Sequence, residues 1–146
     1  MKKQASMILT LSLLAMMAAT SGNAQSDMHF EVNVPFEFSV GEKTLPAGEY
    51  TVSCGAHDLL IIQSVDRLSS QMSITISTQA GRARDESSLV FHRYGDRYFL
   101  STIWTAGNYI GHELRKPRAE RELIWATRGL ARSSPERQAV SIVAHR

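Results

Sequence analysis

Cys54, the only cysteine, stands three residues before an imidazole in Cys54-Gly55-Ala56-His57. A thiol and a histidine so placed could act as nucleophile and base. That chemistry needs an exposed thiol in an electropositive setting, which the adjacent Asp58 does not provide. The competing reading is a small buried residue at a strand end beside a turn histidine. His112-Glu113 begins like a zinc-protease helix, but Lys116 occupies the second histidine's place and Pro117 follows. His29, His57, His92, His112 and His145 are scattered along the chain rather than set at metal-ligand spacing, so no metal site is expected. His92, Asp96, Ser101 and Glu113 are the residue types of a hydrolase site. Asp96 reads as a tight-turn residue, however, and no G-x-S-x-G elbow, phosphate loop or informative carboxylate pair accompanies them. No catalytic residue or cofactor is therefore assigned. A small secreted hydrolase of unknown class stands as the alternative to a binding or structural module.

Two constellations could instead bind. On a helix, Arg118, Arg121, Trp125, Arg128 and Arg132 share one face, opposite Ala119, Leu123, Ala126 and Leu130. Arginines flanking an indole suit an anionic surface. The competing reading is a solvated face on which Glu120 and Glu122 offset the charge and Trp125 packs on Leu130 at the helix end. The second constellation is aromatic. Tyr94, Trp104 and Tyr109, with a flexible Thr105-Ala106-Gly107-Asn108 loop, could stack on sugar rings, although ordinary sheet packing accounts for such aromatics as well.

What must position these residues begins with export. Lys2 and Lys3 precede an apolar run from Met7 to Ala19 and the small residues Gly22 and Ala24, the pattern of a signal peptide (1–24) cleaved before Gln25. The run is shorter than the ~20 residues of a membrane span. No cysteine stands immediately after the cleavage point, so no lipid anchor is expected and the mature chain reads as soluble, in the periplasm or outside the cell. Losing Lys2 and Lys3 leaves fourteen basic residues against fourteen acidic ones. The first half is acidic and the second basic, a self-complementary arrangement that gives no reason to expect a nucleic-acid partner. One cysteine means no internal disulfide, so a hydrophobic core must stabilise a single domain over 25–146.

The core's main contributor is written in the opening strand. Phe30, Val32, Val34, Phe36, Phe38 and Val40 alternate with polar residues, predicting one long strand with a buried face. Pro35 within it predicts a sheet edge, or a bulge where the chain passes between sheets. Leu45-Pro46-Ala47-Gly48 predicts a type I turn leading into a strand at Glu49–Val52. Further strands are predicted at Leu59–Gln63, Met72–Thr78, Leu89–Tyr94 and Gln138–Ala144. Gly95-Asp96 suits a two-residue type II′ hairpin pairing Tyr94 with Arg97. Strict alternation then puts Leu89, Phe91, Leu100 and Thr102 on one face and Val90, His92, Phe99 and Ile103 on the other. Both faces are partly apolar, so a helix near 118–128, ending at Gly129, is expected to cover the second. The predicted architecture is all-β, an antiparallel sandwich or partly open barrel, with one C-terminal helix.

Leu45 to Val52 is similar to turns in exported β-sandwich families, including transthyretin-like and collagen-adhesin repeat domains. It also has the outline of a sortase signal, but Gly48 stands where threonine is required. VNVPFEFSVGEKTLPAGEYTV and LVFHRYGDRYFLSTIWTAG, followed by GHELRKPRAEREL, resemble a group of small exported proteins of soil acidobacteria. The resemblance covers most of the mature chain and implies export and one domain. No activity, ligand or catalytic residue comes with it. The resulting expectation is a non-enzymatic cell-envelope or extracellular module whose partner is an envelope component, a glycan or a protein. An edge strand that Pro35 interrupts further predicts a monomer or weak dimer.

Overall fold

The even-numbered apolar residues from Phe30 to Val40 form two strands rather than one. β1 (Met28–Val34) pairs antiparallel with β4 (Gly48–Gly55) over its whole length. Beyond Pro35 the chain changes partners. β2 (Phe38–Val40) forms a hairpin with β3 (Lys43–Leu45) and meets β8 (Arg97–Trp104) through a parallel Ser39–Phe99 bridge. A residue without an N–H suits this crossing, because it leaves no donor orphaned between two ladders. Phe36 fastens the crossing, its ring stacked on Tyr98 at 3.8 Å and set edge-on to Phe91 at 5.3 Å. The edge reading of Pro35 is met in part, since β1 has a ladder on one side only among the described residues, whereas Pro35 itself stands between β1 and β2 and makes no bulge.

The computed structural model describes residues 28–55, 58–130 and 138–144. The signal-peptide segment, His57, Arg132 and His145 lie outside them. The remaining elements are β5 (Leu59–Ser64), β6 (Ser70–Gln79), β7 (Ser88–Tyr94), β9 (Ile110–Leu114), α1 (Arg118–Leu130) and β10 (Gln138–Val143). The described strands make one sheet in the order β1-β4-β5-β6-β9-β8-β2-β3, with β7 on the other edge of β8 and β10 on β7. The sheet curls until β1 approaches β10, yet no ladder joins them. Of the two expected forms, this is nearer the partly open barrel, and the β2–β8 bridge is its parallel exception.

One core fills the curl. Val32, Val52 and Ile62 from the first strands meet Leu89, Phe91 and Leu100 from the later ones, all buried. Phe38 sits edge-on to Tyr50 at 5.2 Å and to Phe91 at 5.4 Å. Full burial of such side chains contributes ~2 kcal/mol each before ordering entropy, enough for a core without a disulfide. The Tyr50 hydroxyl donates to the Pro46 carbonyl at 2.6 Å. This local latch resembles the tyrosine corner of β-sandwich domains. It fixes Pro46-Ala47 as the passage from the β2–β3 hairpin to the β1–β4 ladder; β3 and β4 themselves do not pair.

Gly95, at φ 61°, and Asp96 form the predicted hairpin turn, and Tyr94 faces Arg97. The register then departs from strict alternation. Phe91 pairs with Leu100 but Val90 pairs with Thr102, so Ser101 is an extra residue, a β-bulge. Ile103 consequently joins Leu89 and Leu100 in the core, and Thr102 moves to the outer face, the reverse of the sequence expectation. On that outer face Phe99 is buried, and α1 lies over its neighbours His92 and Tyr94 through hydrogen bonds to Glu120.

The helix begins where expected, its Arg118 N–H donating to the Glu42 carboxylate at 2.9 Å, an N-terminal cap delivered from the β2–β3 turn. It runs through Gly129 to Leu130, so Gly129 does not end it. The inward stripe is also rotated by roughly a quarter turn from the Ala119/Leu123/Ala126 line, at 100° per residue. Glu120 is the buried residue, Leu123 and Ile124 are half-buried, and Ala126 is exposed.

Candidate functional site

β6 belongs to two ladders. Ser70–Ile74 pair with β5, and Thr75–Gln79 pair with β9. Its side chains alternate in an unusual sense. Thr75 points inward and is buried, whereas Met72, Ile74 and Ile76 point outward and are 56%, 72% and 52% exposed. The alternation therefore marks the strand correctly, but its apolar side faces solvent. The half-buried Leu59 and Ile61 of β5 lie directly across from Ile74 and Met72 and extend the apolar surface.

Two backbone bonds fix which way β6 aims its peptide groups. Ser64 N–H donates to Ser69 O at 2.7 Å on the β5 side, and Ala80 N–H donates to Tyr109 O at 2.8 Å on the β9 side. With the two-residue period of an antiparallel ladder, odd residues of β6 bond to β5 and even residues face the other way. The β9 ladder ends at Thr75–Leu114. Ser70 and Met72 thus direct their peptide groups toward an edge with no strand on it among the described residues. Lys43 Nζ holds Ser70 O at 2.9 Å, and Gln71 Nε2 holds Met72 O at 2.9 Å. The Met72 N–H has no ladder partner on that edge among the described residues.

A cleft of about 640 Å³ opens there, between Ser73 and Ile74 of β6, the β2–β3 turn, and the segment Arg115–Pro117 that leads β9 into α1. Arg115, Lys116 and Arg121 line it against one carboxylate, Glu42, which already caps the helix. The cleft is basic on one wall and apolar on the other.

The predicted arginine face contributes in part. Arg121 lines the cleft, and Trp125, one turn further along α1, is 72% exposed. Arg118 is exposed and bonded to Glu122 at 2.7 Å. That bond, and then the Glu122 and Glu42 charges, hold its guanidinium above its ordinary value. Arg128 lies within the last helical turn. Leu130, the proposed partner of Trp125, also lies within the helix rather than folding back after it.

The aromatic set does not form one surface. Tyr94 and Trp104 end opposite ends of the β7–β8 hairpin, about 20 Å apart at ~3.3 Å per residue. The Tyr94 hydroxyl is engaged by Glu120 at 3.0 Å. Trp104 is buried, with the Arg84 guanidinium 4.6 Å from its ring centre and Gly111 beneath it. Tyr109 alone of the three is half exposed. The Thr105–Asn108 loop expected to be flexible is tied to the segment at Arg84 and Ser87. Gly107 N–H donates to Arg84 O at 2.7 Å, Arg84 N–H to Asn108 O at 3.0 Å, and Ala106 N–H to Ser87 Oγ at 3.0 Å.

The hydrolase-type residues separate. His92 Nδ1 bonds Glu120 Oε1 at 2.8 Å beneath α1, Asp96 sits in its turn, and Glu113 is exposed opposite Thr102. Cys54 meets a histidine that sequence spacing did not suggest. Its Sγ lies 3.5 Å from His112 Nδ1, with Thr75 Oγ1 at 3.3 Å and the Asp58 carboxylate at 3.6 Å from the same nitrogen. In a nucleophile–base–orienter relay the two partners occupy opposite ring nitrogens. Here thiol and carboxylate converge on one nitrogen, and the thiol is only 5% exposed. Thr75 Oγ1 also donates to Asp58 O at 2.9 Å, which ties the left-handed Asp58 (φ 56°) to the sheet. No cluster of three or more metal-ligating side chains suited to a metal ion occurs among the described residues, and no helix among them is long and apolar enough to cross a membrane.

No family model matches the chain, and no curated protein or solved structure matches it either.

Proposed function

We propose that the chain is an exported, non-enzymatic module that binds an envelope or extracellular component through the cleft beside β6. One observation carries the reading: Met72, Ile74 and Ile76 present an apolar row to solvent on a strand whose inward positions are polar or small. A β-strand with one buried face puts its apolar side on the core. Reversing that order leaves unburied apolar area beside three cations, the makeup of an interaction site rather than of a packing surface. Export is supported by the Lys2–Ala24 pattern, and the neutral mature charge supports a partner other than nucleic acid.

The test is thermal shift of the purified protein against metals, glycans, peptidoglycan fragments, peptides and anionic lipids, with Ile74→Ser beside it. A ligand bound only by the folded chain raises Tm by mass action. Ile74 is exposed, so Ile74→Ser should change the protein's own stability by no more than about 0.5 kcal/mol and remove the ligand's shift. A shift undiminished in Ile74→Ser would move the site elsewhere.

The alternative of a small hydrolase rests on the 3.5 Å approach of Cys54 to His112. Turnover of ester or peptide reporter substrates that disappears in Cys54→Ser would establish it. Burial of the thiol and the shared ring nitrogen favour the binding module.

A further inference from the structure

Deepening that reading, and resting on it, we propose that the occupant of the cleft is an extended polypeptide segment bearing acidic side chains, which adds to β6 as a strand along Ser70–Ile74. Three observations converge on this chemistry. The first is the backbone. The even residues of β6 aim their peptide groups into the cleft, and the Met72 N–H has no partner there among the described residues. Only another peptide backbone offers donors and acceptors at the matching two-residue spacing, which is how strand addition works. The two carbonyls on this edge are held by Lys43 and by the neighbouring Gln71, flexible side chains that an incoming strand can displace. The second is the side-chain row. A strand added here lies beside β6 and sets alternate residues over its outer face, next to the exposed Met72 and Ile74. The third is charge. Arg115, Lys116 and Arg121 line the end of the cleft where β9 leaves, and the one acidic side chain there, Glu42, is occupied at the helix cap. Carboxylates on the incoming segment are the complementary group.

β6 carries no proline between Ser70 and Gln79. Exposed edges free of such interruptions are the ones that recruit another chain.

The probe is a synthetic pool of fluorescein-labelled heptapeptides alternating Glu with Val, Ile, Leu or Phe, compared with the same pool carrying Lys in place of Glu. Fluorescence anisotropy should show saturable binding of the acidic pool, about tenfold weaker binding of the basic pool, and about tenfold loss in Arg115→Glu/Lys116→Glu. Amide exchange at Met72 should slow on saturation. Met72→Ala keeps the N–H but shortens the apolar row, so it should weaken the acidic pool's binding while leaving the slowed exchange at this position in place. Met72→Pro removes an N–H that the β5 ladder does not use, so the protein should stay folded and lose the peptide. Equal binding by the two pools, unchanged exchange at Met72, or binding that survives Met72→Pro would each overturn strand addition. Phosphatidylglycerol vesicles binding in an Ile74-dependent manner, with no peptide binding, would overturn the polypeptide occupant while leaving the cleft's function standing. Dimerisation in sedimentation that Met72→Pro abolishes, with no peptide binding, would make the occupant a second copy of this chain and overturn a separate acidic segment. Loss of every Ile74-dependent interaction would take down both readings together.

Discussion

Replacing Glu120 with alanine should loosen α1 from the sheet. The Glu120 carboxylate is 2% exposed and accepts hydrogen bonds from His92 Nδ1 at 2.8 Å and from the Tyr94 hydroxyl at 3.0 Å, both from the hairpin beneath. Hydrogen bonds to an ionised acceptor contribute about 1.5–3 kcal/mol each. His92 and Tyr94 are half-buried, so water reaches them once the helix shifts, and the lower end of that range applies to each bond. The expected loss is about 3 kcal/mol. With an unfolding entropy near 2.1 cal/mol/K per residue, a domain of this length should lose about 12 °C of Tm. Scanning calorimetry measures that drop, and amide exchange should locate the loosening between Arg118 and Leu130 before the sheet opens. Tyr94→Phe alone should cost about 1.5 kcal/mol and less once Glu120 is alanine, because that carboxylate no longer accepts its hydrogen bond. A Tm shift under about 2 °C for Glu120→Ala, or full additivity with Tyr94→Phe, would refute the view that this carboxylate holds the helix.

Tyr50→Phe should cost about 1 kcal/mol, since the Pro46 carbonyl it releases is at an exposed residue and the ring keeps its contact with Phe38. The Tyr50 phenol lies above its ordinary value, first because it is buried and second because of the Asp66 charge. The unfolded chain therefore gives up this proton first. The phenol's contribution is complete below about pH 10 and declines as pH rises beyond it, so the gap between wild type and Tyr50→Phe should narrow in Tm measurements taken above that pH. Gly111→Ala should lower Tm by the equivalent of about 1–3 kcal/mol, because a Cβ there would stand 2.6 Å from Cε3 and Cζ3 of Trp104 and force the indole to move. An unchanged Tm and near-ultraviolet circular dichroism spectrum would show that the indole gives way freely.

Local rules reached the local features. Gly95-Asp96 announced its hairpin and the Tyr94–Arg97 register, Pro35 announced a discontinuity, and the start of α1 followed from Pro117. What escaped depends on distant partners. Glu120 looked like surface charge because His92 and Tyr94 lie 28 and 26 residues away. Cys54 was matched with its neighbour His57 because His112 is 58 residues distant. β9 was missed because Gly111 breaks the apolar pattern and its meaning appears only under Trp104. The cleft was invisible for another reason. The apolar row of Met72, Ile74 and Ile76 is readable, but its turning to solvent follows from Thr75 facing inward to Asp58 and His112, 17 and 37 residues away.

Ser101 has a wider consequence for β8. Before it, odd-numbered side chains such as Phe99 point outward and Leu100 points to the core; after it, Ile103 points to the core and Trp104 outward. One residue thus acts as a half-period phase slip, dividing the strand into two stretches of opposite polarity. Its first stretch presents Phe99 on the face that α1 covers, and its second sets an indole over Gly111 to seal the sheet from outside. A strand of eight residues thereby meets two demands that a single unbroken alternation would set against each other.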